Sequence, residues 1–347
     1  MNNMGQWTSM ALCLPMLACR PAAPSASVQQ PQRTTAFDAK PYSEGRVPRD
    51  SNVFLVAGGD DIANFAQEIV TQRQLWAAAG VKNEAIACYW AKPDADAWRA
   101  DREQYDALQH HLTHCRRAEP ATVRADLLRV ARTNPPWVYL FVTSHGLPPL
   151  LAWHGHTKDQ DEIVAEFEVS TAELDAINQP VIALQAGPGP RLSQPRRIIT
   201  EHRAGAELGD LMLSPKTLAE TLHAFPDETL KIVVLQACFS GGFIGDTGEH
   251  GTLSPLTAVP NIVILTATAH DRPSFGCGAG SLSTYYGGAL NKSLARRLVQ
   301  DTTPDTVAWE TIWEDTAFVV DAMESIDGES PSMPTFFSNV GGTQVIR

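Results

Sequence analysis

The chain has 347 residues, 44% of them apolar, and a formal charge of −12. This length and apolar fraction fit one large globular domain or two small ones with a sizeable core. An acidic balance with no long basic run excludes a nucleic-acid grip and a polybasic hold on a membrane surface.

Residues 8–18 form a short apolar stretch, too short to span a bilayer. Met16-Leu17-Ala18-Cys19 resembles a bacterial lipoprotein signal, whose cysteine is lipidated after cleavage. The resemblance implies a signal peptide over 1–18, lipidation at Cys19 and an exported protein. Its location would be periplasmic or cell-envelope, with the membrane met only through the lipid. Residues 19–50 are rich in Pro, Ser, Gln, Ala and Arg beyond the cysteine and read as a flexible tether.

The main domain is expected over 51–347. Asn52–Ala57 is a strand pattern ending in Gly58-Gly59, and Ile62, Phe65, Ile69 and Trp76 follow at helical spacing. Ala85–Trp90 is a second short apolar strand. Tyr105, Leu108, Leu112 and Cys115 mark another helical face, which Val123, Leu127 and Val130 continue. Residues 137–143, Trp-Val-Tyr-Leu-Phe-Val-Thr, read as a buried strand running into Ser144-His145-Gly146. The pattern weakens over 147–210, which reads as an insertion with some strand content and no separate core. Regularity resumes where Ser214 caps a helix with Pro215 at its first position. A strand at 231–236 then runs into Ala237-Cys238, and Asn261–Thr266 is another strand. Residues 281–299 and 304–324 look helical, and Pro334–Phe337 suggests a last strand. Strands alternating with helices predict an α/β fold, a mostly parallel central sheet with helices on both faces.

In such a sheet, sites are built at the C-terminal ends of the strands. His145 and Cys238 stand at two of these ends, each trailed by small residues. A cysteine attacks carbonyls as its thiolate and needs a base or a lowered pKa; His145 is the candidate base. The turn at Phe239-Ser240-Gly241-Gly242 can aim backbone N–H groups at a developing oxyanion, and Gly146 can supply a second donor. Of the other cysteines, Cys88 and Cys115 either pair, if the protein is exported, or remain buried thiols; spacing does not decide connectivity. His154-Gly155-His156 has no matching Cys or His cluster nearby and reads as loop histidines rather than a zinc site. Gly241–Gly245 lacks the Lys-Ser/Thr of a phosphate-binding loop. No metal and no cofactor is expected.

A hydrophobic strand ending His-Gly, followed by one ending Ala-Cys, resembles the signature of clan CD cysteine peptidases, most closely the legumain-like family, peptidase C13. Val53–Gly58 with Asn64-Phe65, the stretch Asn261–Cys277, and Ser283-Thr284-Tyr285-Tyr286-Gly287 resemble further legumain segments. The resemblance covers most of 51–295 outside the insertion and implies a caspase-like fold. It also implies Cys238 as nucleophile, His145 as general base and acid, and the N–H groups of Gly146 and Cys238 as oxyanion hole. Asn64 matches the asparagine that orients the legumain histidine; the alternative for it is a helix-start residue. Positions that match the substrate pocket are Ala66, Gln236, Ser274 and Gly288. Legumains carry arginine, glutamate and aspartate where Ala66, Gln236 and Gly288 stand here. Losing those charges removes the groups that would discriminate for asparagine, although Asp246 or Asp271 could supply new polarity. The implied activity is endopeptidase cleavage of a peptide or protein through a thioester. A transpeptidase using the same dyad and a catalytically idle binding module are the alternatives.

Overall fold

The computed structural model describes residues 52–59, 61–155, 159–184, 194–248, 251–278, 281–298 and 302–347. The expected signal peptide, Cys19 and the tether lie outside the described residues, as does His156 of the loop-histidine pair.

The strands are β1 (Val53–Ala57), β2 (Ile86–Trp90), β3 (Arg116–Arg117), β4 (Trp137–Thr143), β5 (Gly146–Leu147), β6 (Val181–Ile182), β7 (Leu230–Gln236), β8 (Ile262–Thr266), β9 (Thr335–Ser338) and β10 (Val345–Ile346). The helices are α1 (Asn64–Ala78), α2 (Arg102–Leu112), α3 (Pro120–Ala131), α4 (Gln160–Phe167), α5 (Thr171–Ile177), α6 (Pro195–Arg203), α7 (Leu208–Leu211), α8 (Pro215–Leu222), α9 (Tyr285–Arg297) and α10 (Trp309–Asp327). The main sheet has the order β10-β9-β8-β7-β4-β1-β2-β3. Strands β3 to β8 in that order pair in parallel, and β9 and β10 close one edge antiparallel. The mostly parallel α/β sheet expected from the sequence is therefore present.

The two faces of the sheet follow the period of two in the strands. Val53, Leu55, Tyr139, Phe141, Ile232 and Val234 point into one core, against α1, α2, α9 and α10. Phe54, Val56, Leu140, Val142, Val233 and Leu235 point into the other, against α3 and α8. Both faces are covered, so the central strands are apolar throughout rather than alternating. The expected helix start at Ser214 is present as a full capping box, with the Ser214 hydroxyl accepting from the Thr217 N–H. The single helical face read from Tyr105 to Val130 is two helices. Edge strand β3 interrupts them, and Pro120 opens the second.

The segment 147–210 departs from expectation. Among its described residues it is mainly helical, and it buries a small cluster of its own around Ile163, Leu174, Ile177, Ile198 and Ile199. Its helices run only four to nine residues, too short for a clear period in the sequence. The capping box Ser170–Glu173 was the local signal available.

Cys88 on β2 and Cys115 before β3 form a disulfide. His114 lies beside them, but both sulfurs are consumed in the bond, so the three residues are no metal cage. The bridge ties edge strand β3 to the sheet across a separation of 27 residues, a loop whose closure is worth about 3.5 kcal/mol by chain entropy. The double variant Cys88→Ala/Cys115→Ala should lose roughly that much in a denaturant titration. An unchanged midpoint would show that the bridge does not constrain the unfolded chain.

Candidate active site

Parallel pairing decides the site. Thr143, the last residue of β4, is in register with Gln236, the last residue of β7. The Ser144 N–H still donates to the Gln236 carbonyl at 3.0 Å, which carries the pairing one residue further. His145 and Cys238 each follow two residues beyond the registered pair, on the same edge of the sheet. Gly146 then lies directly on the Cys238 backbone: a Cβ there would stand 1.8 Å from the Cys238 carbonyl oxygen.

Cys238 is buried and is the free cysteine among the described residues. Its sulfur accepts from the Ser274 N–H at 3.3 Å and approaches the Ser274 carbonyl at 3.7 Å. Burial pushes the thiol above its ordinary range, while the N–H groups of Ser274, Cys238 itself and Gly146 pull it back. Those last two groups are the oxyanion donors expected from the sequence, and both point at the sulfur. The chain turns after Cys238 through Phe239, which takes a left-handed conformation at φ +60°. The sequence reading gave this turn to the small residues that follow. Instead a bulky residue holds it, a strained conformation of the kind that collects at functional sites. The Phe239 N–H is anchored on the Arg272 carbonyl at 2.8 Å.

The histidine's support differs from expectation. His145 Nε2 lies 2.8 Å from Asp61 Oδ1 in the loop between β1 and α1. The carboxylate accepts the Nε2 proton and leaves Nδ1 as the basic nitrogen. The Phe65 ring meets the imidazole edge-on at 5.1 Å. Asn64, expected to orient the histidine, instead donates its amide to the Gly276 carbonyl at 3.0 Å. It belongs to α1, and it ties that helix to the loop that carries Ser274 and Gly276. Asp61 was overlooked although it follows β1, the strand beside β4; its position at a neighbouring strand end was the signal.

The inserted segment also enters the site. β6 pairs antiparallel with β5, Gly146 against Ile182. The Ala183 N–H donates to the His145 carbonyl at 2.9 Å, and the Ser144 hydroxyl donates to the Ala183 carbonyl at 2.7 Å. The loop carrying His145 and Gly146 is thus clamped between β7 and the insertion.

Of the expected pocket residues, Gln236 and Ser274 are together, the Gln236 amide donating to the Ser274 hydroxyl at 3.4 Å. Ala66 is buried in the core beside Phe65, and Gly288 lies in the first turn of α9 against Ser283. Neither brings a polar side chain to the site. Asp246 and Asp271 are exposed, 4.0 Å from His270 and 3.8 Å from Arg272 respectively.

Fold and site together define an α/β protein with a free cysteine and a carboxylate-supported histidine at the ends of adjacent parallel strands. No family model matches the chain, and no curated protein matches it. Among solved structures it is similar to protein GSU0716 from Geobacter sulfurreducens, with 10% identity and a TM-score of 0.43 over 83% of this chain and 92% of that one. It is also similar to caspase-1 from Spodoptera frugiperda, with 11% identity and a TM-score of 0.37 over 93% and 95% of the two chains.

Because burial raises the Cys238 thiol, its alkylation by iodoacetamide should keep accelerating with pH beyond about 8.5, where an ordinary cysteine levels off. A plateau at or below that pH would contradict the buried setting. Gly146→Ala should displace the Cys238 backbone and slow that alkylation without unfolding the sheet, as checked by rate and circular dichroism.

Proposed function

We propose that the chain is a cysteine peptidase that cleaves peptide bonds through a Cys238 thioester. The observation that carries this reading is the cradle of backbone N–H groups around the Cys238 sulfur, beside a histidine whose Nε2 is held by Asp61.

The residues allow a balanced sequence of steps. His145 Nδ1 takes the thiol proton, and the thiolate adds to the substrate carbonyl carbon. The oxyanion forms against the N–H groups of Gly146 and Cys238, donors that typically contribute about 100- to 1,000-fold each to turnover. His145 returns the proton to the leaving amine, the C–N bond breaks, and an acyl thioester remains. Water then gives a proton to His145 and its oxygen to the carbonyl carbon, the C–S bond breaks as His145 passes that proton to the Cys238 sulfur, and the acid departs. Asp61 stabilises the imidazolium at both proton transfers.

The substrate is a peptide or protein. The asparagine preference of legumains does not come with the dyad, because Ala66, Gln236 and Gly288 hold no charge. Export as an envelope protein anchored through Cys19 belongs to the same proposal. It is supported by the Cys88–Cys115 disulfide, since stable disulfides are rare in reducing compartments. No described helix is long and apolar enough to cross a membrane.

Wild-type protein should be labelled by a peptidyl acyloxymethyl ketone, and Cys238→Ala should not; labelling of the variant would sink the assignment. His145→Ala should fold and lose about 100-fold or more of its peptide hydrolysis, the usual worth of a general acid–base. Asp61→Asn should lose less than His145→Ala in the same assay. Equal activity of Asp61→Asn and wild type would remove the carboxylate from the mechanism.

A further inference from the structure

Glu68 is a fully buried carboxyl that the steps above do not use. It sits on α1 and touches two other elements at once, the start of α9 and the end of β4. Its Oε1 accepts from the Thr284 N–H at 2.8 Å and from the Thr284 hydroxyl at 2.7 Å, at the N-cap of α9. Its Oε2 lies 2.5 Å from the Thr143 hydroxyl at the end of β4. Thr143 also reaches Gln236 Oε1 at 2.8 Å at the end of β7, and Gln236 leads on to Ser274. Ser274 in turn supplies the N–H that holds the Cys238 sulfur. The position is built for this side chain: a Cβ on Gly287 would stand 2.1 Å from the Glu68 carboxyl carbon.

We propose that Glu68 is a positioning residue for the Cys238 reaction, acting through Thr143 and Gln236 on the Ser274 segment that cradles the sulfur. The proposal rests on Cys238 being the nucleophile.

Hydrogen counting shows what the carboxyl does. The Thr143 hydroxyl has one hydrogen, yet it faces Glu68 Oε2 and Gln236 Oε1. With a proton on Glu68 the chain runs one way. Glu68 donates to Thr143, Thr143 donates to Gln236 Oε1, and the Gln236 amide donates to Ser274. With Glu68 ionised, Thr143 must turn its hydrogen to the carboxylate. Gln236 then satisfies Thr143 only by presenting its amide nitrogen there, and Ser274 must become the donor to Gln236. The charge on Glu68 therefore sets the donor direction of every bond in the chain from Glu68 through Thr143 and Gln236 to Ser274.

The packed elements bring no charge to Glu68. β4 offers Thr143, β7 offers Gln236, and α9 offers Thr284 and Gly287. The titratable groups that β4 and α9 bury in the same core, Tyr139 and Tyr286, are phenols held far above their ordinary range and stay neutral. Among the described residues the strand ends add His145 with its partner Asp61, and Cys238. Burial, opposed by the hydrogen bonds of Thr143 and Thr284, pushes the Glu68 carboxyl up to about 7. The switch in direction thus falls within the working range of a thiol enzyme.

The test is the rate of Cys238 alkylation by iodoacetamide in the full chain between about pH 5.5 and 9, read by peptide mass spectrometry. Glu68→Gln carries an amide that donates as the protonated acid does but cannot ionise. The ratio of wild-type to Glu68→Gln rates removes the pH dependence common to the two proteins. It should step about threefold or more, centred near pH 7. Thr143→Val keeps the Glu68 contact with α9 but cuts the link to Gln236, so its rate relative to Glu68→Gln should show no step. A flat wild-type ratio overturns the proposal, and so does a step that survives in Thr143→Val. Because alkylation needs no substrate, failure of the peptidase reading appears separately, as absent peptide cleavage by a protein whose ratio still steps.

Discussion

The parallel pairing of β4 with β7 is the constraint on which the rest of the site depends. The register of Thr143 with Gln236 places two loop residues side by side, His145 and Cys238, that lie far apart in the chain. The same register brings Gly146 so close to the Cys238 carbonyl that no larger residue fits without a shift. One main-chain ladder therefore positions His145, Cys238 and the N–H groups around the sulfur, with no side chain spent on bringing them together. Such a ladder is stiff because it is buried on both faces, by one core beneath α1, α2, α9 and α10 and another beneath α3 and α8.

Secondary supports converge on that ladder from every side. Asp61 reaches the histidine from the end of β1. Asn64 and Glu68, one turn apart on α1, hold respectively the Gly276 carbonyl and the N-cap of α9. The insertion closes the opposite side through β6 and Ala183. A buried thiol in this setting is costly to ionise in water-poor surroundings, and the backbone N–H groups offset that cost locally. Burial is thus the larger influence on thiolate formation, and the aim of those N–H groups sets how much of it is offset.

Much of the fold was legible because its signals are local. The apolar runs of β1, β4, β7 and β8 stand out between helical periods, and Ser214-Pro215 marks a helix start by its own chemistry. The insertion was not legible in the same way. Its helices are too short for a period to emerge, and its contribution to the site is a two-residue strand whose partner lies more than thirty positions upstream. The disulfide of Cys88 with Cys115 was only one of two readings, since spacing carries no information on which sulfurs meet.

By itself the sequence marked His145 and Cys238 as candidates, because each follows within three residues of a locally legible apolar strand. It also put uncharged residues at Ala66, Gln236 and Gly288, the positions that the legumain resemblance assigns to a pocket. Tertiary structure alone decided which side chain serves the histidine, choosing Asp61 over the neighbouring Asn64, and which turn residue bears the strain, choosing Phe239. It alone brought buried Glu68 to the ends of β4 and β7. The physical reason is the same in each case. Strand identity is a matter of local apolar period, whereas a hydrogen bond between side chains from different loops depends on distances set only when the sheet and its helices pack.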